Sequence, residues 1–154
     1  MSRRDQIRMT DDEVATFLAG RRTTQVATVN PDGMPHLVAM WYGLIAGDIV
    51  MWTYAKSQKA ANLRRAPKIA CLIETGERYE ELRGVSIMGV AELSDDRDHV
   101  MRVGEAVLFG ARGGEELDPF SQGILEKTGA KRVAITVKAT KVASWDHSKL
   151  GGGY

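Results

Sequence analysis

The sequence predicts a mainly β protein with short helices, organised as a six-stranded barrel, closed or split, whose strands run in meander or Greek-key order. Three observations carry this. Six separate stretches are apolar or alternate with period two, and clusters of Gly, Pro, Asn and Asp set them apart. Helical patterns do not recur between every pair of strands, which argues against a doubly wound parallel sheet. The strand LRGVSIMGVAEL is interrupted by Gly84 and Gly89, which suit the bulges and close backbone approach that barrel curvature requires.

In chain order, Thr10 and Glu13 form a capping box ahead of Val14, Phe17 and Leu18, which predicts a short helix over residues 10–20. Residues 23–29 alternate as a strand, and Asn-Pro-Asp-Gly at 30–33 is hairpin turn chemistry. The returning arm, residues 35–45, is unusually apolar, so one face is expected to meet the core and the other something equally dry. Ala46, Gly47 and Asp48 turn the chain into a strand at 49–54, completing a three-stranded meander. A helix follows from Ser57 until Pro67 stops it. Residues 68–74 read as a buried strand and 82–93 as the glycine-broken one. A helix opens at Ser94, Asp95 and Asp96 and extends to about Gly110; another runs from Asp118 and Pro119 to Gly129. Residues 132–145 form the last strand. Residues 146–154 hold little apolar surface, so a flexible, glycine-rich tail is expected that frays or rests on a partner.

With 154 residues, 44% hydrophobic and 27% charged, the chain suits one domain over residues 1–154. It has neither an apolar run of membrane-spanning length nor an apolar leader, so a cytoplasmic protein without membrane contact is expected. Cys71 stands alone in the run IACLI and reads as a small buried residue. His36, His99 and His147 lack ligand spacing, which gives a metal site no support. A net charge of +1 and a basic stretch without interleaved aromatics disfavour nucleic acid as a partner.

The chemistry points to residues 49–67, where an apolar strand passes through a polar turn into a basic helix. Ser57 as N-cap leaves the amides of Gln58, Lys59 and Ala60 directed outward, beside the ammonium groups of Lys56 and Lys59. Lys56, Lys59, Arg64, Arg65 and Lys68 fall within thirteen positions that contain no acid. This is an anion-binding pattern, and a merely solvated basic helix has the same letters. Trp41 and Tyr42 are adjacent, so alternation allows one ligand contact and one packing role. Trp52 and Tyr54 read as core. His36 and Tyr42 are the candidate proton donors, and no residue is assigned as catalytic.

The run from VATVNPDG through MWTYAKSQKAANLRRAPKIACLIE, with LRGVSIMGVAEL after it, resembles the split β-barrel oxidoreductases related to pyridoxamine 5′-phosphate oxidase. Within them it is similar to the actinobacterial deazaflavin-dependent branch, which uses coenzyme F420. The resemblance extends from about Val26 to Val142. It implies an FMN-binding type of split barrel and a homodimer with two cofactor sites at its interface. The second strand, Val38, Ala39, Met40, Trp41 and Tyr42, would hold a flavin-like ring. Thr53, Lys56, Ser57 and Lys59 would hold the phosphate, with Asn62 and Arg64 beside them. Trp145, His147 and Tyr154 would cover the substrate side, across the dimer or as part of a mobile tail, and Arg83 would meet either a cofactor carboxylate or Glu77, Glu80 and Glu81.

Two departures bear on the reaction. Oxidases that make pyridoxal phosphate carry Arg before the matching Lys and Gln after the later Arg, where this chain has Gln58 and Gly84, and the ending SWDHSKLGGGY is also unlike theirs. The resemblance therefore implies a reductase that moves a hydride from reduced coenzyme F420 to an unsaturated or quinone-like small acceptor. The alternatives are an FMN-dependent oxidoreductase on the same fold and a non-catalytic cofactor- or tetrapyrrole-binding split barrel.

Overall fold

The computed structural model describes residues 1–110 and 115–151. Its elements are α1 (Arg3–Ile7), α2 (Asp11–Ala19), β1 (Thr23–Val29), β2 (Pro35–Trp41), β3 (Gly43–Ile45), β4 (Asp48–Tyr54), α3 (Gln58–Arg65), β5 (Lys68–Thr75), β6 (Arg83–Ser94), α4 (Arg97–Phe109), α5 (Pro119–Gly129) and β7 (Arg132–Asp146). Short 3-10 turns lie at Tyr79–Glu81 and His147–Leu150. The strands form one antiparallel sheet in the order β2-β1-β5-β6-β7-β4-β3, curled into the half-barrel of a split-barrel fold.

The described residues hold seven strands, not six, because the arm over residues 35–45 is broken. Tyr42 turns into the core, and Gly43 packs so closely on α4 that a Cβ there would fall 2.6 Å from the Ala106 carbonyl carbon. The chain therefore leaves β1 at Trp41 and pairs with β4 from Gly43. β1–β2 and β3–β4 are separate hairpins, so the expected three-stranded meander is not formed. Helix α1 was not legible because its five residues are too few for apolar periodicity; a capping box between Ser2 and Asp5 starts it.

Local chemistry accounts for the other boundaries. Thr10 Oγ1 accepts from Glu13 N at 3.2 Å, and Glu13 Oε2 accepts from Thr10 N at 2.7 Å, which fixes the start of α2. The β1–β2 turn closes through Gly33 N donating to Asn30 O at 2.9 Å, with Gly33 at φ +86°. The β6–β7 ladder shifts register at Met88/Gly89, where a side chain on Gly89 would strike the Lys138 carbonyl.

Two apolar clusters result. Val26, Met51, Ile73, Val85, Ile135 and Val137 fill the concave side of the sheet. β4 is buried on both faces, so Val50 and Trp52 form a second cluster with Val100, Val103 and Val107 of α4 and Leu125 of α5. The Trp52 ring occupies room left by Gly104 and Gly129: a Cβ on Gly104 would lie 2.1 Å from its Cζ3. Gly104→Ala is expected to destabilise the fold by about 1–3 kcal/mol through overpacking, seen as a lower urea midpoint at unchanged m-value. A midpoint equal to wild type would show that the ring has room to shift.

Candidate functional site

The site forms where β4 runs out. Ser57 N donates to Tyr54 O at 2.9 Å, which closes the turn, and Ser57 then caps α3 by accepting from Ala60 N at 3.2 Å. Buried Thr53 donates its hydroxyl to Ser57 Oγ at 3.2 Å, so its part is to orient the cap. The amides of Gln58 and Lys59, first in the helix, find no acceptor among the described residues. Lys56 is exposed and Lys59 half-buried. The Lys59 amine is held below its ordinary pKa, first by burial and then by the Arg132 guanidinium. No carboxylate lies within ion-pair distance of either lysine among the described residues. Free amides, a helix dipole and unneutralised ammonium groups therefore converge on one spot, which is the chemistry of a phosphate seat.

The remaining residues of the basic helix do other work. Arg64 Nη1 donates to Ala55 O at 2.8 Å and so braces the turn. Asn62 is wholly buried; its Nδ2 donates to Thr28 Oγ1 at 3.0 Å and to Asn30 Oδ1 at 2.9 Å, which bolts α3 to β1. Gln58 Nε2 donates to Asn62 Oδ1 at 2.9 Å. Arg65 Nη2 donates to Val29 O.

Along β2 the side chains divide by face. Val38 and Met40 are half-buried, whereas Leu37, Ala39 and Trp41 are exposed. Trp41 is 53% exposed, with the Arg22 guanidinium 4.6 Å from its ring centroid. Arg22 is itself held by Leu108 O at 3.0 Å and Val107 O at 3.3 Å, at the end of α4. Tyr42 lies in the core, where its hydroxyl donates to Leu18 O at 2.6 Å and burial pushes its pKa up to about 12. Its proton is engaged, so it packs and does not donate to a ligand. His36 is half-buried, with Nδ1 enclosed and without a partner. Cys71 is buried, and burial pushes its thiol up to about 11.

The convex face of β1, β2, β5 and β6 is apolar. Leu37, Ala27, Ala70 and Met88 form one cross-strand row, and a cleft of about 460 Å³ lies over it. In the next row the buried Gln25 Oε1 has no hydrogen-bond donor. Trp145 covers this face at Gly84, where a Cβ would fall 2.2 Å from its Cζ2. An indole thus fills the space above Gly84.

Of the tail expected over residues 146–154, the structure describes the part up to Gly151. Residues 146–151 are tied down: Asp146 accepts from Ser148 N at 3.0 Å, His147 N donates to Leu82 O at 2.9 Å, and Lys149 Nζ meets Glu13 Oε2 at 2.6 Å. The segment rests on its own N-terminal helices through polar contacts, which a count of apolar residues misses. His147 stacks edge-on against Tyr79 with centroids 4.4 Å apart. Arg83 meets Asp146 at 3.0 Å without hydrogen-bond alignment, and none of Glu77, Glu80 and Glu81. Tyr154 lies outside the described residues. Tyr54 is not core but 56% exposed at the end of β4.

Sequence reasoning missed Arg132 and Arg22. Arg132 reaches the site only because β4 pairs with β7, placing Tyr54 opposite it, and its guanidinium lies 4.4 Å from the Tyr54 ring. No local signal reports a register between strands so far apart. The division of labour in α3 predicts opposite outcomes for two substitutions. Asn62→Ala is expected to cost about 1–3 kcal/mol, since Thr28 and Asn30 lose a buried partner, whereas Lys59→Ala leaves the melting temperature nearly unchanged. Equal melting temperatures for both would refute the assignment.

The family described as pyridoxamine 5′-phosphate oxidase matches residues 10–146. The crystal structure of the conserved hypothetical protein Rv2991 from Mycobacterium tuberculosis is 41% identical, with a TM-score of 0.90 over 100% of this chain and 95% of that one. An F420 reductase is 22% identical, with a TM-score of 0.57 over 79% of this chain and 89% of that one. HutZ, the heme storage protein from Vibrio cholerae, is 15% identical, with a TM-score of 0.68 over 90% of this chain and 97% of that one. The last two likenesses speak for the fold alone. No protein of curated function matches the chain.

Proposed function

We propose, from the premise that this chain belongs to the pyridoxamine 5′-phosphate oxidase family, that it is a reductase dependent on coenzyme F420, acting on an unsaturated or quinone-like small organic acceptor. The observation that carries this reading is the phosphate seat at the head of α3, with Lys56 and Lys59 unneutralised beside the free amides of Gln58 and Lys59. The donor set fits the phosphate of a flavin-like cofactor. Pyridoxamine phosphate oxidation is disfavoured because Gln58 stands in place of Arg and is engaged with Asn62, while Trp145 fills the space at Gly84.

When bound, the reduced deazaflavin supplies a hydride to the acceptor, chemistry that belongs to the cofactor. The chain's own residues orient and exclude. Ser57, Lys56 and Lys59 hold the phosphate, with Thr53 fixing the cap from below. The backbone of Val38, Ala39 and Met40 supports the ring. Trp41, steadied by Arg22, forms an aromatic wall. No described residue is assigned as acid or base, since the Tyr42 hydroxyl is taken by Leu18.

The reading includes a second copy of the chain over the convex face. Leu37, Met88 and Val90 are 67%, 48% and 41% exposed there, an apolar surface that a lone domain would leave in water. Light scattering is expected to return about twice the chain mass, and a monomer at micromolar concentration would refute the dimer.

The functional test is spectroscopic. Protein purified from a deazaflavin-producing host is expected to carry a deazaflavin absorption band that reduction bleaches and a quinone-like acceptor restores. A Soret band in its place would favour a tetrapyrrole binder, and a flavin band an FMN enzyme. In titrations with the coenzyme, Lys59→Ala is expected to weaken binding roughly ten- to a hundredfold, the range of one charge-assisted contact; equal affinity would place the phosphate elsewhere.

A further inference from the structure

The break that turns Tyr42 into the core also opens a hollow between the ends of α2 and α4. Its volume is about 260 Å³, which suits a small organic molecule. Leu18, Tyr42, Leu44 and Phe109 line it together with the exposed Arg21 and Arg22, and no acidic side chain lines it among the described residues. Two helices end here, and bare carbonyls at their ends would repel an anion. Donors already cover them: the Tyr42 hydroxyl donates to Leu18 O at 2.6 Å, and Arg22 Nη2 donates to Leu108 O at 3.0 Å and Val107 O at 3.3 Å. Arg21 Nη2 reaches the Glu74 carbonyl at 3.4 Å. Among the described residues, the other N–H groups of both guanidiniums have no acceptor, and neither guanidinium has a carboxylate within ion-pair distance. Burial raises the Tyr42 phenol and the Arg21 charge pulls the other way, so that charge is felt inside the hollow. Two guanidinium forks beside apolar walls match a carboxylate carried on an apolar body.

The hollow is separate from the phosphate seat. Asn62 bolts α3 to the far end of β1, and the strand between, Thr23–Val29, has seven residues, a span of about 20 Å. Arg22 links the hollow to the ring side of the site instead, since its guanidinium lies 4.6 Å from the Trp41 ring centroid. We propose that this hollow seats the acceptor: the substrate is a small quinone-like or unsaturated carboxylic acid, whose carboxylate meets Arg21 and Arg22 while its reducible group lies toward Trp41. This rests on the reading of the protein as a reductase. A quinone-like group takes up a hydride from the reduced cofactor and a proton from water to become a hydroquinone, and the carboxylate is unchanged.

The test compares matched probes that differ only in charge. Oxidation of reduced coenzyme F420 by the whole chain is followed with a benzoquinone bearing a propionate arm and with the same quinone as its primary amide. Phenylpropionate and its amide, which undergo no reduction, are titrated calorimetrically against the protein without cofactor. Wild type, Arg21→Gln, Arg21→Lys and Arg22→Gln are compared. Arg22 also holds the end of α4 and steadies Trp41, so Arg21 provides the variant that spares the fold, and melting temperatures report the integrity of each. The expected result for wild type at low salt is a kcat/KM at least about fivefold higher for the acid than for the amide, the scale of a screened charge-assisted contact. Phenylpropionate is expected to bind more tightly than its amide. Both preferences are expected to shrink in Arg21→Gln and Arg22→Gln and to return in part in Arg21→Lys. Equal kcat/KM for the two quinones in wild type, or a preference that survives in both Gln variants, would overturn the acid seat and leave the functional reading standing. No turnover of either quinone would overturn the functional reading, and the acceptor assigned to the hollow with it.

Discussion

Positive charges without nearby carboxylates gather around the head of α3, and their mutual repulsion is the constraint on which the site depends. Lys59 and Arg132 come from elements far apart in the chain, and the Lys59 amine is held below its ordinary pKa first by burial and then by the Arg132 guanidinium. Such an arrangement persists because rigid parts hold it. Thr53 and Ser57 fix the turn, Asn62 bolts the helix to β1, and Arg132 is clamped between Thr128 O and two aromatic rings. Stability and function are thereby separated within one helix: its buried side hydrogen-bonds to the barrel, and its exposed end stays unsatisfied for a ligand.

Small residues serve the same division. Gly104 and Gly129 admit the Trp52 ring, which lets α4 and α5 pack on β4. Gly84 admits Trp145 on the convex face, which gives that face an aromatic surface. That face is apolar along Leu37, Ala27, Ala70 and Met88, and the buried Gln25 Oε1 still lacks a donor. A second protein surface with an N–H in reach, or a ligand ring with one, satisfies both features.

Much of the fold was legible in the sequence because its signals are local. The capping box at Thr10, the turn at Asn30–Gly33 and the Ser57 cap all rest on residues a few positions apart. What was not legible depends on distant partners. The break at Tyr42 follows from a hydroxyl reaching Leu18 and from Gly43 meeting α4, neither of which leaves a trace in apolar alternation. Residues 146–151 are held through Asp146, His147 and Lys149, a polar anchoring that composition reads as looseness. In the site, the helix start was visible from its acid-free lysines. Asn62 and Arg64 looked like ligand contacts until burial and the Ala55 carbonyl showed their structural work, and Arg132 was invisible without the β4–β7 register.

The central claim is that unneutralised cations at the head of α3 form an anion seat for a deazaflavin cofactor. Parallel titrations of the wild-type protein with coenzyme F420, FMN and haem, each at low and high salt, test it most directly. The account predicts that coenzyme F420 binds most tightly and that its affinity falls as salt screens the cations. Haem binding more tightly than either flavin-like ligand, or coenzyme F420 affinity indifferent to salt, would contradict it.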